Sequence, residues 1–203
     1  MRGMTIEILL FDGFDDLDAF GPFEVLNEAG LETRFVTLTP AERVTSSHGA
    51  RVVPDGVLTD PDLVLVPGGG WNDRGGVYRE AKRGDIPKAL VERHARGRRI
   101  GSICTGAMLL AEAGILKDRP AITHHTALND LEAAGADVRH GARVVDDGDV
   151  VTAAGVTSGI DLALHLVEQY RDKATRDAVA REIEWDQRSS GASASGRSIG
   201  TNA

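Results

Sequence analysis

The chain has 203 residues, 41% of them apolar and 27% charged, with a formal net charge of −8, a balance that suits one compact domain and excludes global disorder. The acidic surplus argues against nucleic acid as a partner, because the one basic cluster, Arg96, Arg98 and Arg99, is short and interrupted by Gly97. The apolar run near the start is broken by Glu7 and closed by Asp12, too short for a secretory signal or a membrane span, so no membrane partner and a cytoplasmic location are expected.

Residues 4–11 read as a strand, and Asp12 and Gly13 break it before residues 17–26, whose apolar positions recur with helical spacing. Residues 34–39 and 63–66 give two more strands. The second stops at Pro67, Gly68, Gly69 and Gly70, where a backbone without side chains can turn sharply or come close to a ligand. Residues 86–95 read as a helix, 99–103 as a strand, and 105–113 as a helix closed by Gly114 at its C-cap. A short strand follows at 121–123 and a helix at 128–134. A hairpin then pairs 142–146 with 150–153 across Asp147 and Gly148, and a helix at 158–170 is continued by a helical stretch to about residue 185.

Strands alternating with helices predict an α/β protein: a mainly parallel sheet covered on both faces, with ligand sites at the carboxyl ends of the strands. Asp12, the glycine run and Cys104 all follow such ends. Residues 1–188 read as one domain, and the Ser/Gly-rich stretch 189–203 as a disordered tail.

Cys104 is the only cysteine, so it cannot close an intrachain disulfide or build a thiolate cluster, and it is either core filler or chemistry. In Gly101-Ser102-Ile103-Cys104-Thr105-Gly106 a buried-type strand ends at the cysteine and a helix is expected directly after it. Gly101 and Gly106 are the small residues that a nucleophile elbow requires. A helix N-terminus there would pull the thiol below its ordinary value and could receive an anion in the transition state.

Asp18, ahead of an apolar-periodic segment, is either a helix N-cap or an acid in the site, and its neighbours Asp15 and Asp16 read as solvated loop charges. His124 and His125 follow a short strand, where alternation puts their side chains on opposite sides. One of them is a base or substrate contact, or else a structural imidazole. No histidine pair shows metal-ligand spacing, and the glycine run lacks both the Gly-x-Gly-x-x-Gly pattern and a P-loop lysine, so neither a metal nor a cofactor is expected. Trp71 either caps a small apolar pocket or lies on a surface loop.

Several stretches together resemble the ThiJ/PfpI superfamily of the class I glutamine amidotransferase-like fold, and within it the isonitrile hydratase group. They are Leu17-Asp18 with Gly21-Pro22 and Val25-Leu26, then Pro67-Gly68-Gly69, then Ser102-Ile103-Cys104-Thr105-Gly106 with Leu109-Leu110-Ala111 and Ala113-Gly114. Thr123-His124 and Gly155-Val156-Thr157-Ser158-Gly159-Ile160-Asp161 complete the set. The resemblance implies a flavodoxin-like three-layer sandwich, a homodimer, Cys104 as nucleophile and Asp18 as its acidic partner. It further implies that Thr105 contacts the site, that amides of Gly69, Gly70 and Thr105 line an anion hole, and that His124 is the family histidine. In the peptidase-like branch a histidine follows the cysteine; Thr105 stands there instead, which weighs against a protease or amidase.

A carboxylate beside a thiol is tolerable in a desolvated pocket only if one of the two is protonated, which makes Asp18 a proton carrier. The expected function is therefore cofactor-free hydration of an isonitrile to an N-substituted formamide. A glyoxalase or deglycase acting on α-oxoaldehydes and a thiol redox sensor are the alternatives.

Overall fold

The computed structural model describes residues 4–72 and 74–186, so the stretch 189–203 and the last two positions of the expected domain lie outside the described residues. In chain order the elements are β1 (Thr5–Leu9), α1 (Asp16–Glu28), β2 (Glu32–Thr37), β3 (Val44–Thr45), β4 (Arg51–Val52), β5 (Gly56–Val57) and β6 (Leu63–Val66). Then come α2 (Gly76–Arg83), α3 (Asp85–Ala95), β7 (Arg99–Ile103), α4 (Ala107–Glu112), β8 (Pro120–Ala121), α5 (Leu128–Ala133) and β9 (Asp137–Val138). β10 (Val144–Asp146), β11 (Val150–Ala153), α6 (Ser158–Tyr170) and α7 (Lys173–Glu182) complete the described residues.

The main sheet has the order β10-β11-β7-β6-β1-β2-β5 and is parallel throughout except for the β10–β11 hairpin. Its central strands are buried on both faces, which is why β6 (Leu63, Val64, Leu65, Val66) is a continuous apolar run rather than an alternating one. Helix α1 packs on α6 and α6 on α7, while α2, α3 and α4 pack on one another, giving a helical layer on each side of the sheet. This is the expected flavodoxin-like sandwich. The strand order reverses between β1 and β6, the point at which open α/β sheets leave a crevice beyond the strand ends. The β1–α1 turn and the glycine run meet there.

Four features have no counterpart in the sequence reading. The β3–β4 pair, the edge strand β5 and β9, which pairs with β8 where a short strand was expected at 121–123, are two residues per strand, too short to show a period. Helix α2 is the fourth. It buries Val77 and Ala81 on one stripe, but Glu80 shares that stripe and masks the apolar pattern. Among the described residues no helix is long and apolar enough to cross a membrane.

The acid that interrupts β1 is structural. Glu7 is fully buried and receives Arg34 Nη2 at 2.5 Å, Thr59 Oγ1 at 2.7 Å and Thr59 N–H at 2.8 Å, tying β1 to β2 and to the turn before β6. Breaking such a pair leaves donors without their acceptor, although Arg34 is 41% exposed and can turn to water. Glu7→Gln is expected to lower stability by about 2 kcal/mol, read as a drop in the urea midpoint at unchanged slope. A midpoint equal to wild type would show that the clamp contributes nothing.

Candidate active site

β7 ends at Ile103, and Cys104 follows with φ +54°, in the left-handed region that a non-glycine residue enters only under constraint. The constraint is visible on both sides of the residue. Its N–H donates to Ala154 O at 3.0 Å, extending the β7–β11 ladder, and its carbonyl accepts from Thr123 Oγ1 at 2.8 Å. A Cβ on Gly101 would lie 2.5 Å from Leu65 Cδ2, and one on Gly106 would lie 2.3 Å from Val66 O, so both glycines are needed for β6 and its loop to close on the elbow. One expectation is corrected. The chain does not enter an α-helix directly at the cysteine; a 3₁₀ turn, Cys104–Gly106, intervenes before α4.

The β1–α1 turn delivers the acid. Asp15, not Asp18, is the N-cap of α1, accepting from Leu17 N at 3.1 Å and Asp18 N at 3.4 Å, and Asp16 pairs with His48 Nδ1 at 2.7 Å. Neither is the solvated loop charge expected. With the cap supplied by Asp15, Asp18 turns inward and is fully buried. Its Oδ2 accepts from Gly68 N–H at 2.9 Å across the switch point, and Oδ1 has no hydrogen-bond partner among the described residues.

Three sequence-predicted residues converge on one glycine. A Cβ on Gly68 would lie 2.6 Å from Asp18 Oδ2, 2.8 Å from Thr105 Oγ1 and 2.9 Å from Cys104 Cβ. The sequence reading placed the roles on Gly69 and Gly70 instead. Gly69 N–H donates to Thr105 Oγ1 at 3.1 Å, so that amide is engaged inside the protein rather than open to an anion. Gly70, at φ +85°, offers its carbonyl to Tyr78 N–H at 3.3 Å. The amides that favour the Cys104 thiolate are those of Val156 and Thr105. Val156 was quoted only as part of the Gly155-Val156-Thr157 stretch. Its amide, on the turn before α6 at φ +30°, favours the thiolate from a distant segment, which no local pattern signals.

Burial pushes the Asp18 carboxyl well above the usual carboxylate range, and the charge of Asp15 adds to that, while the Gly68 amide and the Cys104 thiol oppose it. Burial is also the main reason that the Cys104 thiol is pushed up to about 12, the charge of Asp18 coming second and the Val156 and Thr105 amides pulling the other way. This corrects the expectation of a thiol drawn below its ordinary value. The amide partners are present, but desolvation and the facing carboxylate outweigh them. Both groups are pushed up, and each charge disfavours the other, so the pair holds a proton in common and titrates as one coupled unit.

His124 lines this region through its ring, which a Cβ on Gly155 would approach to 2.4 Å at Cδ2. Its Nδ1 accepts from Thr126 N–H at 3.3 Å and meets Thr126 Oγ1 at 2.9 Å, so the neutral ring carries its proton on Nε2. Burial first, then His125, lowers its pKa. The two imidazoles are not on opposite sides, as alternation suggested. Residues His125–Ala127 form a 3₁₀ turn, the ring centroids lie 4.2 Å apart, and His125 is exposed while His124 is half-buried. Trp71 makes a strap to the neighbouring segment: its Nε1 donates to Asp130 Oδ2 at 3.0 Å, and Asn72 Nδ2 donates to Thr126 O at 2.6 Å. Among the described residues no group of three or more His, Cys, Asp or Glu side chains is placed to hold a metal ion.

Known proteins resemble this chain in sequence and in fold. The chain is 31% identical over 188 residues to isonitrile hydratase from Pseudomonas putida, covering 90% of this chain and 78% of that protein. It is 33% identical over 155 residues to deglycase TK1284 from Thermococcus kodakarensis, covering 74% of this chain and 89% of that one. A crystal structure of a THiJ/PfpI family protein from Pseudomonas syringae matches with a TM-score of 0.80 at 28% identity, over 92% of this chain and 76% of that chain. The DJ-1/PfpI family profile spans residues 4–169, which hold the whole main sheet, the elbow and the buried acid, and the chain belongs to that family.

Proposed function

We propose that the chain is a cysteine-dependent, cofactor-free enzyme that hydrates isonitriles to N-substituted formamides. The observation that carries this reading is that a carboxyl shares the site of the buried thiol: a Cβ on Gly68 would lie 2.6 Å from Asp18 Oδ2 and 2.9 Å from Cys104 Cβ, and position 105 beside the cysteine holds threonine, not histidine. A carboxylate can take the thiol proton as a carbon–sulfur bond forms and return it to a nearby carbon or nitrogen. It is poorly suited to peptide hydrolysis, which needs an acid for a strongly basic leaving amine. Isonitrile hydration has no such leaving group.

The reaction balances on these groups alone. Cys104 Sγ bonds to the terminal carbon of R–NC while the thiol proton passes through Asp18 to that same carbon, giving the thioimidate R–N=CH–S–Cys104. Water adds to the thioimidate carbon, its proton moving through Asp18 to the imine nitrogen, and collapse of R–NH–CH(OH)–S–Cys104 expels the thiol and releases R–NH–CHO. Thr105 holds the glycine run through Gly69, and its own amide favours the thiolate. His124 Nε2–H is a neutral donor for the oxygen that water brings. Likeness to the family supports a homodimer in the cytoplasm as the working form.

The test is incubation of the protein with aryl and alkyl isonitriles, with methylglyoxal and with unfolded casein, following formamide, lactate and new amino termini. Cysteine-dependent formamide formation is expected, with negligible proteolysis. Lactate without formamide would replace the reading with a glyoxalase. Proteolysis without formamide would restore the amidase, with His124 as its base. No turnover on any arm would favour a thiol sensor.

A further inference from the structure

The elbow is held by a residue to which nothing above assigns a part in the chemistry. Thr123 is 1% exposed and follows β8, outside the main sheet, yet its Oγ1 donates to the Cys104 carbonyl at 2.8 Å. Its segment is braced in turn by Ile122 N–H, which donates at 3.0 Å to Thr152 Oγ1 on β11, the strand paired with β7. The Cys104 carbonyl and the Thr105 N–H are the two ends of one planar trans peptide unit, so fixing the oxygen fixes the direction of the amide. That amide, one residue along from the sulfur, is one of the two that favour the thiolate.

We infer that Thr123 is a positioning residue for the nucleophile: its hydroxyl, by anchoring the Cys104 carbonyl, aims the Thr105 N–H at the sulfur. The carbonyl also accepts from Ala107 N–H inside the 3₁₀ turn, so the Thr123 hydroxyl is its anchor from outside the elbow; at φ +54° the elbow is strained, and a peptide unit left with the turn's shared bond alone has reason to rotate. The inference rests on Cys104 being the reacting thiol, but not on the identity of the substrate. The other charged or titratable groups that bear on the sulfur are Asp18 and Asp15 from the start of α1, while His124 belongs to the segment that carries Thr123. Asp161 in the first turn of α6 is engaged by Arg143 Nε at 2.6 Å.

The experiment measures the rate of Cys104 alkylation by iodoacetamide from about pH 7 to about pH 9 in the full chain, for wild type, Thr123→Val, Thr123→Ala and Thr123→Ser. Loss of one amide from the thiolate raises the thiol pKa by about one unit, so the two variants without a hydroxyl are expected to react about tenfold more slowly at each pH, and Thr123→Ser as wild type. A merely structural role has the opposite sign. Cys104 is only 6% exposed, and a loosened elbow would uncover it and speed alkylation. Unchanged or faster alkylation in whichever hydroxyl-free variant folds, or a serine variant as slow as these, would overturn the inference. Failure of isonitrile turnover with the alkylation pattern intact would remove only the substrate reading.

Discussion

Cys104→Ser is expected to reduce turnover at least about 10³-fold while leaving the fold unchanged, because a buried hydroxyl facing a carboxylate is a far weaker nucleophile than a thiol. Serine fits the site. It is nearly isosteric with cysteine, and the Thr105 and Val156 amides together with Asp18 offer partners for its hydroxyl, so stability should change by no more than about 1 kcal/mol. Formamide production at saturating isonitrile and the urea midpoint, measured on one preparation, check both halves. Retention of about a tenth of wild-type turnover or more would falsify the nucleophile assignment.

Asp18→Asn separates proton transfer from charge. The amide keeps the shape of the carboxyl and can still accept from Gly68 N–H, but it cannot carry the thiol proton, so turnover should fall about 10²- to 10⁴-fold. Removing the negative charge also removes the second cause of the raised thiol pKa, so alkylation of Cys104 above neutral pH should become faster than in wild type. A variant that is more alkylatable and yet inactive is what a proton carrier predicts. A variant that loses both properties equally would instead point to a collapsed site.

The same substitution has a stability signature. Asp18 has its pKa raised by folding, so between the ordinary carboxylate value and the folded value the native state binds more protons than the unfolded chain. Wild-type stability therefore declines as pH rises through that window, and it declines again above the ordinary thiol value, where the unfolded chain gives up the Cys104 proton that the folded chain keeps. Asp18→Asn should abolish the first decline and melt higher than wild type at the upper end of the window. Parallel melting curves against pH for the two proteins would show that folding does not raise the Asp18 pKa.

The long elements of the fold were legible because their signals are local. The run 63–66 of apolar residues became β6, the strand ending at Ile103 became β7, and the helix at 158–170 matched α6. Asp18 came from resemblance rather than from pattern, since an aspartate ahead of an apolar-periodic segment reads first as a cap. The cap is Asp15, three residues earlier, and only the turn geometry distinguishes them. Helix α2 stayed hidden because its buried stripe includes Glu80.

The sequence by itself determined the strand and helix alternation that makes a parallel sheet, the small residues Gly101 and Gly106 around Cys104, and the absence of an imidazole at position 105. Each of these is a matter of residue type at fixed spacing, which neighbours along the chain already specify. Only the tertiary structure decided that Gly68, rather than Gly69 or Gly70, is the surface on which Asp18, Thr105 and Cys104 meet, and that the Val156 amide and the Thr123 hydroxyl serve the elbow. It also decided that the acid and the thiol both hold their protons more tightly than they would in water. Protonation depends on desolvation and on charges brought together from distant segments, and burial at the switch point outweighed the local amides that favour the thiolate.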